Sequence, residues 1–287
     1  MHLCIDVGNT QIALGLYPEQ DPSAPGEMGP ETAHSWRMRT EPRMTADELE
    51  VAIYAMLGDL APAVSGISAL STVPALSREL RVMLERRADR MPTLVVGPGV
   101  RTGVPLLVDH PREVGADRVV NTLAAHQMFG TACVIVDFGT STNIDVVSAR
   151  GEFLGGALAP GIEISMEALA TRASALRTVE LVPPRSVIGK NTVECLQAGV
   201  IFGFAGQVDG LVRRIVAELG PSAGPITVLA TGGLSQLMRG ESETIEHYVP
   251  ELTLFGLRLT YLRNVRQTNV TNGTSNTPDA VSGRSAR

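Results

Sequence analysis

Lysine is almost missing from this chain. Of its 24 lysines and arginines only Lys190 is a lysine, so a lysine that touches phosphate has one candidate. Cysteine is scarce too. Cys4, Cys133 and Cys195 are odd in number and far apart, which argues against a disulfide framework or a zinc site. Cys4 and Cys133 stand in apolar runs and read as small core residues of a reduced, cytoplasmic protein. Basic clusters are also lacking. The formal charge is −6 and the arginines are scattered, so no nucleic-acid partner is expected. No apolar stretch reads as long enough to span a bilayer, and no membrane partner is expected. An acid and a glycine arrive by Gly8, which speaks against a signal peptide. The triplets at Asn269 and Asn272 that could accept sugar mean nothing without secretion.

What is present is apolar mass and a repeat. Apolar residues make up 44% of 287 positions, enough to bury one large or two medium domains. Ile5-Asp6-Val7-Gly8-Asn9-Thr10 is a short apolar run ending in a carboxylate, a glycine and two small polar residues. The glycine lets backbone N–H groups approach an oxyanion, and Asn9 and Thr10 add neutral hydrogen-bonding groups. Ala13-Leu14-Gly15-Leu16-Tyr17 then resumes an extended pattern. The stretch reads as a hairpin whose tip holds a phosphate or its metal, or as a plain hairpin turn with Asx chemistry. Val136-Asp137-Phe138-Gly139-Thr140-Ser141-Thr142 repeats it, between Cys133-Val134-Ile135 and Ile144-Asp145-Val146-Val147. Two strand–Asp-x-Gly–strand units predict a duplicated α/β domain with a nucleotide cleft between the halves. This layout resembles the actin, Hsp70 and sugar-kinase superfamily, with its ribonuclease H-like halves.

From the first repeat to Val96 the pattern is β-β-β-α-β-α-β, fitting one such half. Residues 18–35 form a loop insert rich in Pro, Gly, Glu and Ser. Thr45 with Glu48 makes a capping box ahead of a helical stripe of Leu49, Ile53, Met56 and Leu57. Gly97-Pro98-Gly99-Val100-Arg101-Thr102-Gly103 fails the dinucleotide fingerprint, because Thr102 takes the third glycine's place. The expected division is an actin-like domain over 1–116, a second over 117–265, and a disordered tail over 266–287.

Asp109-His110-Pro111-Arg112-Glu113-Val114-Gly115-Ala116-Asp117-Arg118 is the densest ionisable cluster. It leads into a helix bearing Val119, Val120, Leu123 and Ala124, whose N-terminus favours an anion. Arg118 could grip a substrate carboxylate with both prongs. Asp117 could take a proton from a hydroxyl that attacks phosphate. The plain alternative is an acidic first turn with a surface salt bridge. Gly155-Gly156-Ala157-Leu158-Ala159-Pro160-Gly161 suggests close backbone approach to a ligand or a second subunit. Gly189-Lys190-Asn191-Thr192 resembles the tail of a Walker A loop, but Pro184 stands where its first glycine should be. Asn191 reads better as a helix cap. Gly199, Gly203, Gly206 and Gly210 precede or interrupt the next helix. Thr231-Gly232-Gly233-Leu234 either clamps an adenosine face or is an ordinary turn after a strand.

In order, Asp6-Val7-Gly8-Asn9-Thr10, Pro111 to Arg118, Asp137-Phe138-Gly139-Thr140 and Gly189-Lys190-Asn191-Thr192 closely resemble type III pantothenate kinase. The likeness omits only the insert and the tail. It implies ATP-dependent phosphorylation of pantothenate to 4'-phosphopantothenate, the first step of coenzyme A synthesis. It also implies a divalent metal such as Mg2+, K+ or NH4+ as monovalent cation, and a homodimer. Carried over by motif, the ATP loop is Asp6, Val7, Gly8, Asn9, Thr10, Gln11, Ile12 and Ala13, with Thr140 also on ATP. Asp6 lies near the divalent metal and Asp137 binds the monovalent cation. Asp117 is the general base. Gly115, Ala116, Asp117, Arg118 and Val108 line the pantothenate site, and Thr192 reaches it across the dimer interface. Val108 replaces the usual tyrosine and His110 an asparagine. Thr140-Ser141-Thr142-Asn143 replaces Thr-Ala-Thr-Thr. The alternative is a non-catalytic, nucleotide-binding regulatory protein of the same fold.

Overall fold

In a computed structural model, the described residues are 1–19, 29–173 and 176–272. Half of the expected insert, residues 20–28, and the tail beyond residue 272 lie outside them. Two five-stranded sheets carry the architecture. In the first, β1 (His2–Val7), β2 (Gln11–Tyr17) and β3 (His34–Arg39) run antiparallel. β4 (Gly66–Ser71) and β5 (Thr93–Val95) continue from β1 in parallel. In the second, β6 (Ala132–Phe138), β7 (Ser141–Val147) and β8 (Phe153–Pro160) are antiparallel. β9 (Ile226–Thr231) and β10 (His247–Tyr248) extend β6 in parallel. Strand orders β3-β2-β1-β4-β5 and β8-β7-β6-β9-β10 are the same topology used twice. The duplication expected from the paired Asp-x-Gly motifs is therefore present as a repeated fold.

Alternation along the strands decides what each face meets. Leu3, Ile5, Val7, Ile12, Leu14 and Leu16 face α1 (Ala46–Leu57) and α2 (Pro74–Glu85), packing on Leu49, Ile53, Leu76 and Leu80. α1 begins at the expected capping box of Thr45 and Glu48. The opposite face offers Cys4, Ala13 and Tyr17 to α3 (Ala116–Phe129) and α6 (Leu252–Asn272). Cys133 and Ile135 of the second sheet reach the same two helices, at Leu123, Ala124, Phe255 and Leu259. α3 and α6 are thus a central layer between the sheets. They approach closely: a Cβ on Gly256 would overlap the Val120 carbonyl. Thr253 Oγ1 donates to Asn121 Oδ1 at 2.9 Å.

This layering positions the site. Asp6 shares its face with Cys4, and Asp137 shares its face with Cys133 and Ile135. Both acids, at the last turns of the two central strands, therefore look toward the α3–α6 layer.

α4 (Ile162–Arg172) leads on to α5 (Thr192–Leu219), which corrects two expectations. It is one unbroken helix capped by Asn191, whose side chain accepts from the Glu194 N–H, and its glycines do not interrupt it. By length and composition it is also long and apolar enough to cross a membrane. Its apolar side instead packs Ile201, Ala205, Val208 and Val212 onto Val134 and Val136. Its buried Asp209 accepts from both hydroxyls and both amides of a neighbouring loop: Ser242 Oγ, Thr244 Oγ1, and the Glu243 and Thr244 N–H groups. α6 ends at Asn272, so the tail expected from residue 266 shares its first positions with that helix.

Candidate active site

The two hairpin tips meet. Thr10 Oγ1 and Thr140 Oγ1 lie 3.2 Å apart across the mouth of a cleft of about 230 Å³. Asp6, Gly8, Asn9, Thr10, Gln11 and Ala13 line it from the first hairpin; Asp137, Gly139, Thr140, Ser141 and Asn143 line it from the second. Asp117, in the first turn of α3, joins them. The structure therefore brings together three carboxylates that are far apart in sequence. Burial, then the Asp117 charge, pushes Asp6 up to about 7, and Arg37 pulls weakly the other way. Burial, then Asp117 and Asp6, raises Asp137 to about 7 as well. Burial also raises Asp117, opposed by the Arg118 and Asp117 backbone N–H groups and the Arg118 charge.

Three glycines make room for this convergence. A Cβ on Gly115 would strike the Asp117 carboxylate, so a side chain before the helix would displace that acid from where it now stands. Gly161 sits against the Gly139 and Thr140 carbonyls, beneath the second tip. Gly232 has φ +88 and lies against Asp137 and the Phe138 carbonyl. The 155–161 run, expected to approach a ligand or a second subunit, instead comes close at Gly161 to the chain's own backbone. Gly156 likewise backs onto the Ile144 carbonyl. Thr231, Gly232, Gly233 and Leu234 line the cleft opposite the first tip.

Arg118 is less free than the sequence suggests. Its Nε and Nη2 both donate to Asp145 Oδ1, Nε at 2.8 Å, and its guanidinium stacks over Phe153, 5.1 Å from the ring centre. Asp145 is 1% exposed. Burial raises it, while the hydrogen bond and charge of Arg118 oppose that rise. The plain alternative is a surface salt bridge; the one found has a buried carboxylate and a partly exposed guanidinium, whose plane it fixes. Asp145 escaped the sequence reading because it stands in an apolar strand; a lone acid inside a run of Ile and Val was the available signal. Asp145→Asn should release Arg118. If Arg118 grips the carboxylate of the acceptor, KM for it should rise about tenfold with kcat nearly kept, since a charge-assisted bond is worth about 1.5–3 kcal/mol. Unchanged steady-state kinetics would show that Arg118 has no such task.

Some predicted residues lie elsewhere. Val7 and Ile12 point into the α1–α2 core, so only their backbone can meet a ligand. Ala116 packs beside Val120 and Leu254. Val108 touches Gly155 beside β8, outside the cleft lining. Thr192 is exposed at the start of α5 and does not line the cleft of its own chain. Lys190 is part of that same segment, its N–H donating to Glu194. Residues the sequence reading missed include Arg37, Glu163 and Glu251, all lining the cleft with Asn143 of the second loop.

Among the described residues no group of three or more His, Cys, Asp or Glu side chains is set to hold a metal alone. Nor do Asp6 and Asp137 have a cationic side chain within 4.0 Å. Carboxylates raised by burial and mutual repulsion, with no such partner, suit a hard cation completed by phosphate oxygens and water.

The family model described as type III pantothenate kinase matches residues 2–214. A type III pantothenate kinase of Saccharopolyspora erythraea is 67% identical over 92% of this chain and 99% of its own. A second, from Rhodococcus opacus, is 57% identical over 92% of this chain and 96% of its own. Among solved structures, an activator of 2-hydroxyisocaproyl-CoA dehydratase from Clostridium difficile, with bound ADPNP, has TM-score 0.52 at 12% identity. It covers 97% of this chain and 99% of its own, a likeness of fold alone.

Proposed function

This chain belongs to the type III pantothenate kinase family and phosphorylates pantothenate with ATP in coenzyme A synthesis, and we propose that Asp117 is the base of that transfer. One observation carries the assignment: α3 delivers Asp117 to the point where both acidic hairpin tips converge. The acceptor hydroxyl attacks the γ-phosphorus, its proton passes to Asp117, and the bond to the β-phosphate oxygen breaks as ADP leaves. The Gly8 and Gly139 N–H groups close their own tips on the Gln11 and Ser141 carbonyls, so the Asn9, Thr10 and Thr140 N–H groups and the Thr10 and Thr140 hydroxyls are the ones that meet the phosphates. The N-termini of α3 and α6 both face the cleft and favour its anions. Arg118, held flat by Asp145, faces the acceptor's carboxylate. A divalent cation at Asp6 and a monovalent one at Asp137 would supply positive charge to the phosphates. Most of the rate then comes from positioning and charge neutralisation. An ATP-consuming biosynthetic step suits the cytoplasm.

We infer also that the enzyme acts as a homodimer with the acceptor site at the interface. Gly199, Gly203 and Gly206 lie exposed on α5, and a Cβ on any of them, or on Gly210, would meet nothing within 4 Å. Leu158, Ile164 and Val193 are exposed in the same half of the chain. A second copy seated there would cover apolar surface and bring a partner Thr192 toward the site. Pantothenate-dependent ADP release in a coupled assay tests the reaction. Turnover only with another hydroxy acid, or ATP binding without any turnover, overturns it. Gly203→Trp should give a folded monomer with acceptor-dependent turnover reduced at least 100-fold by loss of a shared site; sedimentation and the same assay check this. A fully active monomer removes the shared site.

A further inference from the structure

The inner face of the first sheet changes character at its top. Asp6 pairs in register with Ala13, and Ala13 with Arg37. Residues paired in this way project to the same side of a sheet. The row across β1, β2 and β3 is therefore an acid, a methyl group and a guanidinium, and all three line the cleft. Lower rows on that face carry Cys4, Gly15 and Tyr17, which pack under α6. Arg37 is the cation among the side chains lining the cleft, as far as the described residues go. It also borders the outer extension of the cleft with Asn9, Thr10 and Gln11.

Arg37 is held from the other side by Glu251, the residue before α6. Nη2 donates to Glu251 Oε1 at 3.3 Å. The second oxygen of Glu251, Oε2, is buried with no hydrogen-bond partner among the described residues. A carboxylate using one oxygen at long distance and burying the other is a poor final partner for a guanidinium. A polyphosphate reaching the cleft along the Asn9–Gln11 tip would offer Arg37 shorter, bidentate bonds.

We propose that Arg37 binds the polyphosphate of ATP across the Ala13 gap, and that Glu251 and the nucleotide compete for it. This rests on the kinase reading above. It gives the nucleotide's phosphates a side-chain cation in a chain whose single lysine lies elsewhere. It also couples phosphate binding to the joint between β3 and α6, because the Arg37–Glu251 pair ties the first sheet to the central helix layer. The exchange breaks one ion pair and forms another, with no covalent step.

Equilibrium binding of adenosine, AMP, ADP and ATP with Mg2+ to the full-length protein tests the assignment. Arg37→Met should weaken ATP and ADP about 10- to 100-fold, as expected for loss of a charge-assisted bond, and leave adenosine within about twofold. Arg37→Lys should recover part of the loss. Glu251→Gln, which removes the competitor's charge, should tighten ATP several-fold. An unchanged ATP affinity in Arg37→Met, or an equal loss for adenosine and ATP, overturns the phosphate contact. A weaker ATP affinity in Glu251→Gln overturns the competition. Turnover of unmodified enzyme with pantothenate, measured in parallel, separates the two claims: its absence defeats the kinase reading, whereas its presence with flat binding defeats only this one.

Discussion

Asp117→Asn should cut pantothenate phosphorylation by about 10²–10⁴-fold, the usual worth of a positioned general base, while leaving Mg·ATP bound. The asparagine keeps the shape and can still accept from the Arg118 and Asp117 N–H groups that now hold the carboxylate. It cannot accept a proton. The helix N-terminus, both hairpin tips and Arg118 stay in place, so nucleotide affinity should change no more than a few-fold. Burial raises the Asp117 carboxyl above the ordinary carboxylate range. The acid limb of kcat/KM should accordingly fall above the ordinary pKa of about 3.9, and that limb should vanish from the residual activity of the variant. This result separates the two meanings the sequence left open. An acid serving only to complement the first turn of α3 would cost a few tenths to about 1 kcal/mol of stability when neutralised and nothing in turnover. A variant retaining more than a tenth of the activity would reduce Asp117 to that lesser role.

The fold was legible because it is written twice. The hairpin around Asp6 and that around Asp137 each carry strand alternation, a tight tip and a buried acid, and both sheets then follow one topology. Helix starts were legible where chemistry marks them, at Thr45 and Asn191. The continuity of α5 was not, because glycine was taken for punctuation. Its glycines lie on a side of the helix that meets nothing within 4 Å among the described residues, and sequence alone cannot show which side a neighbour covers. The site divided in the same way. Acids next to glycines stood out. Arg37, Asp145 and Glu251 did not, since each gains its meaning from a partner at least 27 positions away. The sheet register places Arg37 opposite Ala13, and only the α3–α6 layer brings Glu251 to it.

Asp6→Asn and Asp137→Asn should each abolish most activity and yet make the protein harder to unfold above neutral pH. Both carboxyls are raised from 3.8 to about 7, chiefly by burial. Their folded-state pKa values thus exceed their unfolded ones. Such groups contribute stability that is complete below about pH 4 and lost as pH rises through 7. At pH 8 the native state must keep two buried charges that repel each other and Asp117. Replacing one with asparagine removes a charge and, by relieving its neighbour, lets the remaining acid titrate lower, since the two behave as one coupled system. The gain should be roughly 1–2 kcal/mol at pH 8 and near zero at pH 4. In a protein of this size about 2–4 °C of melting temperature corresponds to each kcal/mol. Added Mg2+ should raise the melting temperature of the unmodified protein at pH 8 more than at pH 6, because the cation binds the ionised form and must displace protons at the lower pH. The same neutralisation that stabilises the fold should remove the charge that holds a cation against the phosphates, at a cost of about 10²-fold or more in turnover. The two effects have one cause: acids kept buried against their own stability for the cation they hold. A variant that loses activity but melts lower at pH 8 would mean that these carboxylates are structural anchors whose hydrogen bonds outweigh their repulsion.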